Sequence, residues 1–232
     1  SVGMEWGQKG DKIAFIENES MYTFAQGTVR SFKSLSSTDF ELTLDRPLPD
    51  GLEEGDALEN LTWSPDVEIR NCQFGSCRAR GLLVTTPGKV VIEDNLFESS
   101  GSAILISGDA NGWYESGAVR DVLIRRNTFN APCMTNMYQF CEGIISIFPI
   151  IPAPERAAQP FHRNIRIEDN VFNAFDYPVL YAKSVDGLTF SYNRIVRSMR
   201  YQPYHRRQHM LNLEYCQQVR IDRNRLKGDV LG

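Results

Sequence analysis

Six segments of the chain share one pattern of apolar and polar positions. Each reads apolar, any residue, apolar, two polar residues, a corner residue, any residue and apolar. The segments are Val67–Phe74, Val90–Phe97, Val122–Phe129, Ile165–Phe172, Leu188–Ile195 and Val219–Leu226. Apolar residues at alternate positions predict a strand with one buried face.

The corner residue is Cys72 in the first segment and Asn in the others. Asn tolerates left-handed backbone angles, and its side-chain amide both donates and accepts hydrogen bonds. We therefore expect a bend at each corner and a ladder of stacked amides. The Asn corners are Asn95, Asn127, Asn170, Asn193 and Asn224.

A second apolar strand follows the corner in most repeats. The predicted strands are 81–86, 103–108, 143–148, 178–183 and 210–215. Their predicted inner faces are Leu82/Val84, Ile104/Ile106, Ile144/Ser146, Val179/Tyr181 and Leu211/Leu213. The repeat is as short as 23 residues, from Val67 to Val90, which leaves no room for the crossover helices of a doubly wound fold. The pattern thus predicts an all-β domain over 63–232, a right-handed parallel β-helix of the pectin-lyase-like kind with about six coils.

Residues 1–62 lack the repeat. Short alternating runs separated by turn-forming residues predict a small antiparallel, barrel-like β unit at the N terminus. The predicted strands are 11–16, 27–32, 39–44 and 56–58. We therefore expect two domains, 1–62 and 63–232.

Insertions lengthen three of the coils, and all of them fall at the two ends of the second strand. They are the loops 109–120, 130–142, 149–164 and 197–209. Loops that flank one sheet of a rigid scaffold form a cleft over it, which is where binding sites usually lie. The loops also carry Trp113, Tyr114, Tyr201 and Tyr204, whose flat rings suit the C–H face of a sugar.

Composition and charge narrow the classes of function. The net charge is −4, from 25 basic and 29 acidic residues, which provides no long-range attraction for nucleic acid. No apolar run approaches the roughly 20 residues of a membrane-spanning helix. The five cysteines lack paired CxxC spacing, so structural zinc is not expected. Cys133 and Cys141 could close a loop in an oxidising compartment, but a reduced, buried thiol is the expected state for most of the five.

Glycoside hydrolysis needs two carboxyl groups, one to protonate the leaving oxygen and one to activate water or attack. Four carboxylates are expected at the cleft: Asp109, Glu115, Glu142 and Glu214. Asp109 and Glu142 lie at opposite ends of neighbouring strands, where they could flank one bond. The structural alternative for each is a surface salt bridge with Arg78, Arg80, Lys183 or Arg206. Acids beside the Asn corners, such as Glu93, are expected to be solvated.

Two long motifs, 74–93 and 97–117, resemble the α-1,3-galactosidases of glycoside hydrolase family 110. The resemblance runs from about Gly10 to the end. It implies a bacterial β-helix enzyme, a hydrolase that removes terminal α-1,3-linked galactose from blood-group-B-type or linear glycans by inversion. Chains of that family are longer, so we expect this sequence to lack coils at both ends. A secreted, periplasmic or cell-surface location is expected.

The resemblance and the cleft together suggest roles for the candidate residues. Glu142 is the predicted general acid and Asp109 the predicted base, with a separation of roughly 6.5–9.5 Å, and Glu115 is a further catalytic candidate. Arg78, Arg80, Trp113, Tyr114 and Glu214 are predicted to bind the substrate. No metal or other cofactor is required by this chemistry, and the expected partner is an α-galactosyl oligosaccharide or glycoconjugate.

Two other functions remain open on the sequence. A noncatalytic glycan-binding β-helix would bind galactosides without releasing galactose. A calcium-dependent polysaccharide lyase would need several carboxylates around one ion and a basic residue nearby, and the acids of the loops are scattered. The hydrolase is the favoured hypothesis.

Overall fold

The computed structural model describes residues 6–115 and 117–228. The outermost residues of the two predicted domains, 1–5 and 229–232, lie outside the described residues, as does Ser116 of the second long motif. The described chain is built of β-strands and two short 3-10 turns, Leu61–Trp63 and Pro154–Arg156. No helix within it is long and apolar enough to cross a membrane.

An antiparallel sheet forms the N-terminal unit, as the sequence predicts. Its strands are β1 (Lys12–Ile16), β2 (Thr23–Ser34), β3 (Phe40–Leu44) and β4 (Ala57–Asn60). They pair in the order β3-β2-β1-β4. Ile13, Phe15 and Val29 form the buried core of this unit.

Three parallel sheets follow, which confirms the parallel β-helix. Sheet 1 contains β5 (Val67–Arg70), β8 (Lys89–Glu93), β11 (Asp121–Arg125), β14 (His162–Glu168), β17 (Val185–Ser191) and β20 (Gln217–Asp222). Sheet 2 contains β6 (Gln73–Gly75), β9 (Leu96–Glu98), β12 (Thr128–Phe129), β15 (Val171–Ala174), β18 (Arg194–Arg197) and β21 (Arg225–Lys227). Sheet 3 contains β7 (Arg80–Val84), β10 (Ser102–Ile106), β13 (Ile145–Ile147), β16 (Leu180–Lys183) and β19 (Leu211–Glu214).

The first five coils therefore have three strands each, rather than the two that the apolar pattern predicts, and the sixth has two among the described residues. The strands of sheet 2 are two to four residues long and begin directly after the corner, so most of them present only one inward apolar residue. These inward residues stack in register: the rings of Phe74, Phe97, Phe129 and Phe172 lie 4.9, 5.1 and 4.7 Å apart between successive centroids. The final apolar position of the repeat thus belongs to a separate short strand, which lies in sheet 2.

The predicted Asn ladder is present. The Asn127 side chain donates to Asn170 Oδ1 at 3.1 Å and accepts from Asn95 Nδ2 at 3.0 Å, and the ladder continues through Asn193 to Asn224. The left-handed residue is the one before each Asn, for example Asp94 with φ 59° and Asp169 with φ 58°. The Asn itself thus satisfies the polar groups of the bend, while its predecessor makes the turn.

The predicted inner faces of two strands in sheet 3 need correction. Ile104 pairs with Ile145, and Ile145 with Leu180, and these residues belong to the buried core. Ser146 and Tyr181 are therefore on the outer face, although they were predicted to face inward. Each strand is preceded by further apolar residues, Ile144 and Val179, which obscure the alternation.

All five cysteines are free thiols. Cys133 and Cys141 are buried, Cys216 is half-buried, and Cys72 and Cys77 are exposed. Fewer of the thiols are therefore buried than the sequence predicts. Burial raises the pKa of Cys133 to about 12. The Cys133 and Cys141 thiols donate to the carbonyls of Phe97 and Ala79, which fixes the start and end of the 130–142 loop.

The N-terminal unit packs against the loops of the β-helix. Ile16 and Met21 of the unit form one buried cluster with Ala110 and Ile151. The Asn111 amide donates to the Asn18 carbonyl at 2.8 Å. The loops that leave the C-terminal ends of β10 and β13 are thus partly occupied in holding the N-terminal unit.

Candidate functional site

The long loops leave the two ends of the strands of sheet 3, as the insertions predict. Two of them, before β13 and before β19, fold over the outer face of the sheet. The Ser146 hydroxyl donates to the Phe140 carbonyl and accepts from the Glu142 amide at 3.4 Å, which places Glu142 above the middle of the sheet. Phe148 continues this surface, with its ring 5.4 Å from that of Tyr181.

Glu142, Arg207, Glu214 and Tyr181 form a cluster of charged and polar groups on this face, called here the carboxylate cluster. Arg207 Nε donates to Glu142 Oε2 at 2.7 Å, and Arg207 Nη1 lies 3.6 Å from Glu214 Oε1. The Tyr181 hydroxyl donates to Glu214 Oε2 at 3.0 Å. The Glu142 and Glu214 side chains remain 38% and 41% exposed. The cluster therefore joins two carboxylates that solvent and ligand can reach.

The electrostatics of the carboxylate cluster are coupled through Arg207 and Tyr181. Burial acts to lower the pKa of Arg207, but the hydrogen bond with Glu142 and the nearby negative charges raise it. Burial and the hydrogen bond to Glu214 raise the pKa of Tyr181. Arg207 therefore stays cationic and Tyr181 stays a neutral donor at neutral pH. The Arg207 guanidinium also lies over the Tyr181 ring, 4.6 Å from its centroid.

A buried Asp–His pair holds the loop that carries Arg207. The Asp176 carboxylate accepts from the amides of Tyr204 and His205 at 2.7 and 2.9 Å, and it contacts the His205 ring at 2.7 Å. Burial acts to raise the pKa of Asp176, but these hydrogen bonds outweigh it and lower the pKa. The Tyr204 hydroxyl donates to the Met134 carbonyl at 2.8 Å, so this loop is also tied to the 130–142 loop.

Asp109 has a different environment from the one predicted for a catalytic base. It is 4% exposed, and its carboxylate accepts from the amides of Asn111, Gly112 and Trp113 at 2.7, 3.1 and 2.7 Å. It is paired with Ile150, four residues beyond Ser146, which corresponds to about 13 Å of extended chain. The structure thus gives Asp109 and Glu142 separate partners and brings Glu214, not Asp109, next to Glu142.

The remaining predicted residues lie apart from the carboxylate cluster or at its border. Glu115 and Tyr114 line a cavity beside the N-terminal unit, and Trp113 is 70% exposed. Arg78 lies over the Tyr138 ring, 4.9 Å from its centroid, and Arg80 begins β7, where it pairs with Ser102.

Sequence reasoning missed Arg207, Tyr181 and the Asp176–His205 pair. The parity of β16, once corrected, places Tyr181 on the outer face, and Arg207 is adjacent to Arg206, the partner considered for a salt bridge. Glu93 was expected to be solvated, but it is fully buried and paired with Arg70, Arg125 and Arg126. Among the described residues, no group of three or more His, Cys, Asp and Glu side chains could hold a metal ion.

Comparison with known proteins adds family information to this geometry. Residues 1–58 match the model of GLAA-B beta-barrel domain II. Alpha-1,3-galactosidase B of Bacteroides thetaiotaomicron is 60% identical over 232 residues, which are the whole of this chain and 38% of that protein. Alpha-1,3-galactosidase A of Bacteroides fragilis is 46% identical over 99% of this chain and 38% of that protein.

A relative from another genus extends the comparison. Alpha-1,3-galactosidase B of Akkermansia muciniphila is 45% identical over 84% of this chain and 25% of that protein. The chain spans less than two fifths of the length of each of these three relatives. Over most or all of its length it is thus a homologue of proteins named alpha-1,3-galactosidase.

Proposed function

We propose that this chain belongs to a glycoside hydrolase of family 110, an inverting exo-α-1,3-galactosidase. Its substrates would be blood-group-B-type or linear glycans with a terminal α-1,3-linked galactose, met outside the cytoplasm at a secreted, periplasmic or cell-surface location. The observation that carries the proposal is the pairing of Glu142 with Glu214 on the outer face of sheet 3, in a chain 60% identical to an alpha-1,3-galactosidase B.

The geometry of the carboxylate cluster suits a reaction that needs an acid and a base. One guanidinium contacts both carboxylates, so their nearest oxygens lie less than about 9 Å apart, a bound that admits the carboxyl spacing of retaining enzymes, roughly 5–5.5 Å, as well as that of inverting ones, roughly 6.5–9.5 Å. Inversion would place a water molecule on one side of the sugar ring and the leaving oxygen on the other, with one carboxyl group beside each. Both carboxylates are exposed enough for a sugar to displace their present partners.

Within this pair we assign Glu142 as the general acid, as the sequence predicts, and Glu214 as the base. Tyr181 donates to Glu214, which leaves Glu214 an acceptor that can take a proton from water. When the sugar displaces Arg207, Glu142 would take a proton from solvent and donate it to the glycosidic oxygen, while Glu214 takes the proton of the attacking water. Glu214 replaces Asp109 as our candidate base because both oxygens of Asp109 already accept backbone hydrogen bonds.

The proposal is tested by following galactose release from an α-1,3-galactosyl disaccharide by NMR. β-Galactose as the first product supports inversion, and α-galactose contradicts it. Binding without release would favour the noncatalytic glycan-binding alternative.

Glu142→Gln and Glu214→Gln then separate acid from base. An aryl α-galactoside with a good leaving group needs no acid, so Glu142→Gln should regain most of its rate on that substrate. Glu214→Gln should be slow on both substrates, by about 10²–10⁴-fold. The opposite pattern would exchange the two roles.

A further inference from the structure

A cavity of about 620 Å³ lies between the N-terminal unit and the β-helix. Four aromatic side chains line it: Trp6, Trp63, Tyr114 and Phe161. This volume falls within the roughly 300–1,000 Å³ of small-molecule sites, which combine apolar walls with a few polar groups. Glu142, Arg207 and Glu214 are not among its described lining residues, so the cavity is distinct from the carboxylate cluster.

One wall of the cavity presents a fixed, exposed indole. Trp63 is 65% exposed, although its indole N–H donates to Asp11 Oδ2 at 3.2 Å. Asp11 is buried, and the same oxygen accepts from Asn60 Nδ2 and from the Gln8 amide, each at 2.9 Å. The edge of the ring is therefore held in place while much of the ring remains open to a ligand.

A second wall is the loop that Asp109 organises. Three backbone amides bind the Asp109 carboxylate, and the loop then presents Tyr114, which is 71% exposed and has φ 53°. A left-handed conformation is unfavourable for a tyrosine, so the loop constrains this residue to adopt it. The hydrogen bond from the Asn111 amide to the Asn18 carbonyl ties this loop to the N-terminal unit.

The charge of the cavity restricts its ligand. Glu59 and Glu115 bring carboxylates to it, and no Lys or Arg occurs among the lining residues that the structure describes. An anionic ligand is therefore disfavoured. Exposed aromatic faces beside hydrogen-bond acceptors match a pyranose ring, whose C–H face is apolar and whose rim of hydroxyls donates hydrogen bonds.

We propose that this cavity binds a neutral saccharide unit at a site separate from the carboxylate cluster. Trp63 and Tyr114 contact the C–H faces of the sugar, and Glu115 accepts from its hydroxyls. The site is noncatalytic and goes beyond the proposed hydrolase activity: it would hold the protein on a glycan whose end is processed elsewhere on the same molecule. Asp11 and Asp109 are positioning residues for its two walls.

The test measures binding of lactose, a neutral disaccharide without an α-1,3 bond, by tryptophan fluorescence and saturation-transfer NMR. We expect Trp63→Ala and Tyr114→Ala each to weaken binding by about tenfold or more. Trp113→Ala is the matched control, because Trp113 is exposed beside Tyr114 but is not a described lining residue, and it should change the affinity by less than about twofold. Trp63→Phe keeps an aromatic ring but lacks the N–H, and its affinity for lactose should lie between those of Trp63→Ala and Trp113→Ala.

Several results would overturn the proposal. Lactose affinity unchanged in both Trp63→Ala and Tyr114→Ala would do so, as would affinity that is lost in Glu142→Gln. Binding of tetramethylammonium in place of lactose would make the cavity a cation site, and absence of lactose binding up to about 50 mM would exclude a useful sugar site. Circular dichroism checks that the variants fold. If Trp63→Ala does not fold, the lactose affinity of Trp63→Phe tests the role of Trp63 instead. Galactose release is measured separately, so failure of this site and failure of the hydrolase are distinguishable.

Discussion

Two groups of carboxylates on the β-helix differ in what binds their oxygens. Asp109 is almost fully buried, and backbone amides of its own loop saturate it. Glu142 and Glu214 are more than one third exposed, and their observed partners are side chains. A carboxylate saturated by backbone amides cannot change partners without unfolding its loop, whereas side-chain partners can move when a ligand arrives. The difference is the reason why we propose a structural role for Asp109 and a chemical role for the carboxylate cluster.

The same contrast extends to the surroundings of the two regions. The Asp109 loop is committed to the N-terminal unit through the cluster of Ile16, Met21, Ala110 and Ile151. The loop that carries Arg207 is held from behind by Asp176, which leaves the guanidinium facing the outer surface of sheet 3. One set of loops therefore joins two structural units, and the other carries charged side chains of the carboxylate cluster.

The largest effect is expected from removing the charge of Glu214. Glu214→Gln should lower the rate of galactose release by about 10²–10⁴-fold, because the remaining amide cannot accept a proton from water. Glu155→Gln is the matched control, since Glu155 is an exposed glutamate in the loop that follows β13 and is not part of the carboxylate cluster. An equal loss of galactose release in Glu214→Gln and Glu155→Gln would show that the carboxylate cluster has no special role in the reaction.

Asp109→Ala should act on stability. Three amides would lose a charged acceptor in a buried loop, which should lower the free energy of unfolding by about 2–4 kcal/mol. Asp109→Asn retains one acceptor oxygen and should lose less. Urea unfolding followed by circular dichroism measures both, and a loss below about 0.5 kcal/mol in Asp109→Ala would show that the loop does not depend on this carboxylate.

The region beside the N-terminal unit should also respond to pH through His162. Burial lowers the pKa of His162 to about 3, against an ordinary value of 6.5. Between these two pH values the unfolded chain therefore binds a proton at His162, whereas the folded chain does not. The free energy of unfolding should fall as the pH falls from 6.5 to 3, by up to about 1.4 kcal/mol per pH unit. His162→Asn keeps an acceptor for the Val119 amide and should flatten this decline. The free energy of unfolding of both proteins is measured with denaturant between pH 7 and 4. An equal decline in the wild type and in His162→Asn would contradict the assignment.

The smallest effect is expected at Asp176, behind the carboxylate cluster. Asp176→Asn should lower the free energy of unfolding at pH 7 by about 1–2 kcal/mol, because an amide accepts the backbone bonds more weakly. The folded pKa of Asp176 lies below 3.8, so the wild type has its full advantage above that value and loses it as the pH falls through the folded pKa. The deficit of the variant should shrink below about pH 4. A deficit that grows on acidification would contradict the lowered pKa.

Much of the fold could be predicted from the sequence because the coils repeat. The Asn corners occupy equivalent positions, and stacking turns each into a rung of one ladder. The strands of sheet 2 escaped prediction because they are short and most show one inward residue, as Phe129 does in β12. An alternating pattern can be recognised only where a strand has at least two inward-facing residues.

The candidate site was predicted in part, and the limits are physical. The position of Glu214 follows from parity along one strand, and Tyr181 contacts it as an outward residue should. The partner Arg207 lies 65 residues from Glu142 in the sequence, and only the folding of two loops brings them together. Burial of Asp109 depends on how its loop closes on itself, which residue order alone does not specify.

The central claim is that chemistry occurs at the carboxylate cluster, apart from the cavity beside the N-terminal unit. Galactose release and lactose affinity, both measured on Glu214→Gln, test it most directly. The account predicts that release falls by at least about 100-fold while lactose affinity stays within about twofold of the wild type. Release that persists in Glu214→Gln would contradict the claim.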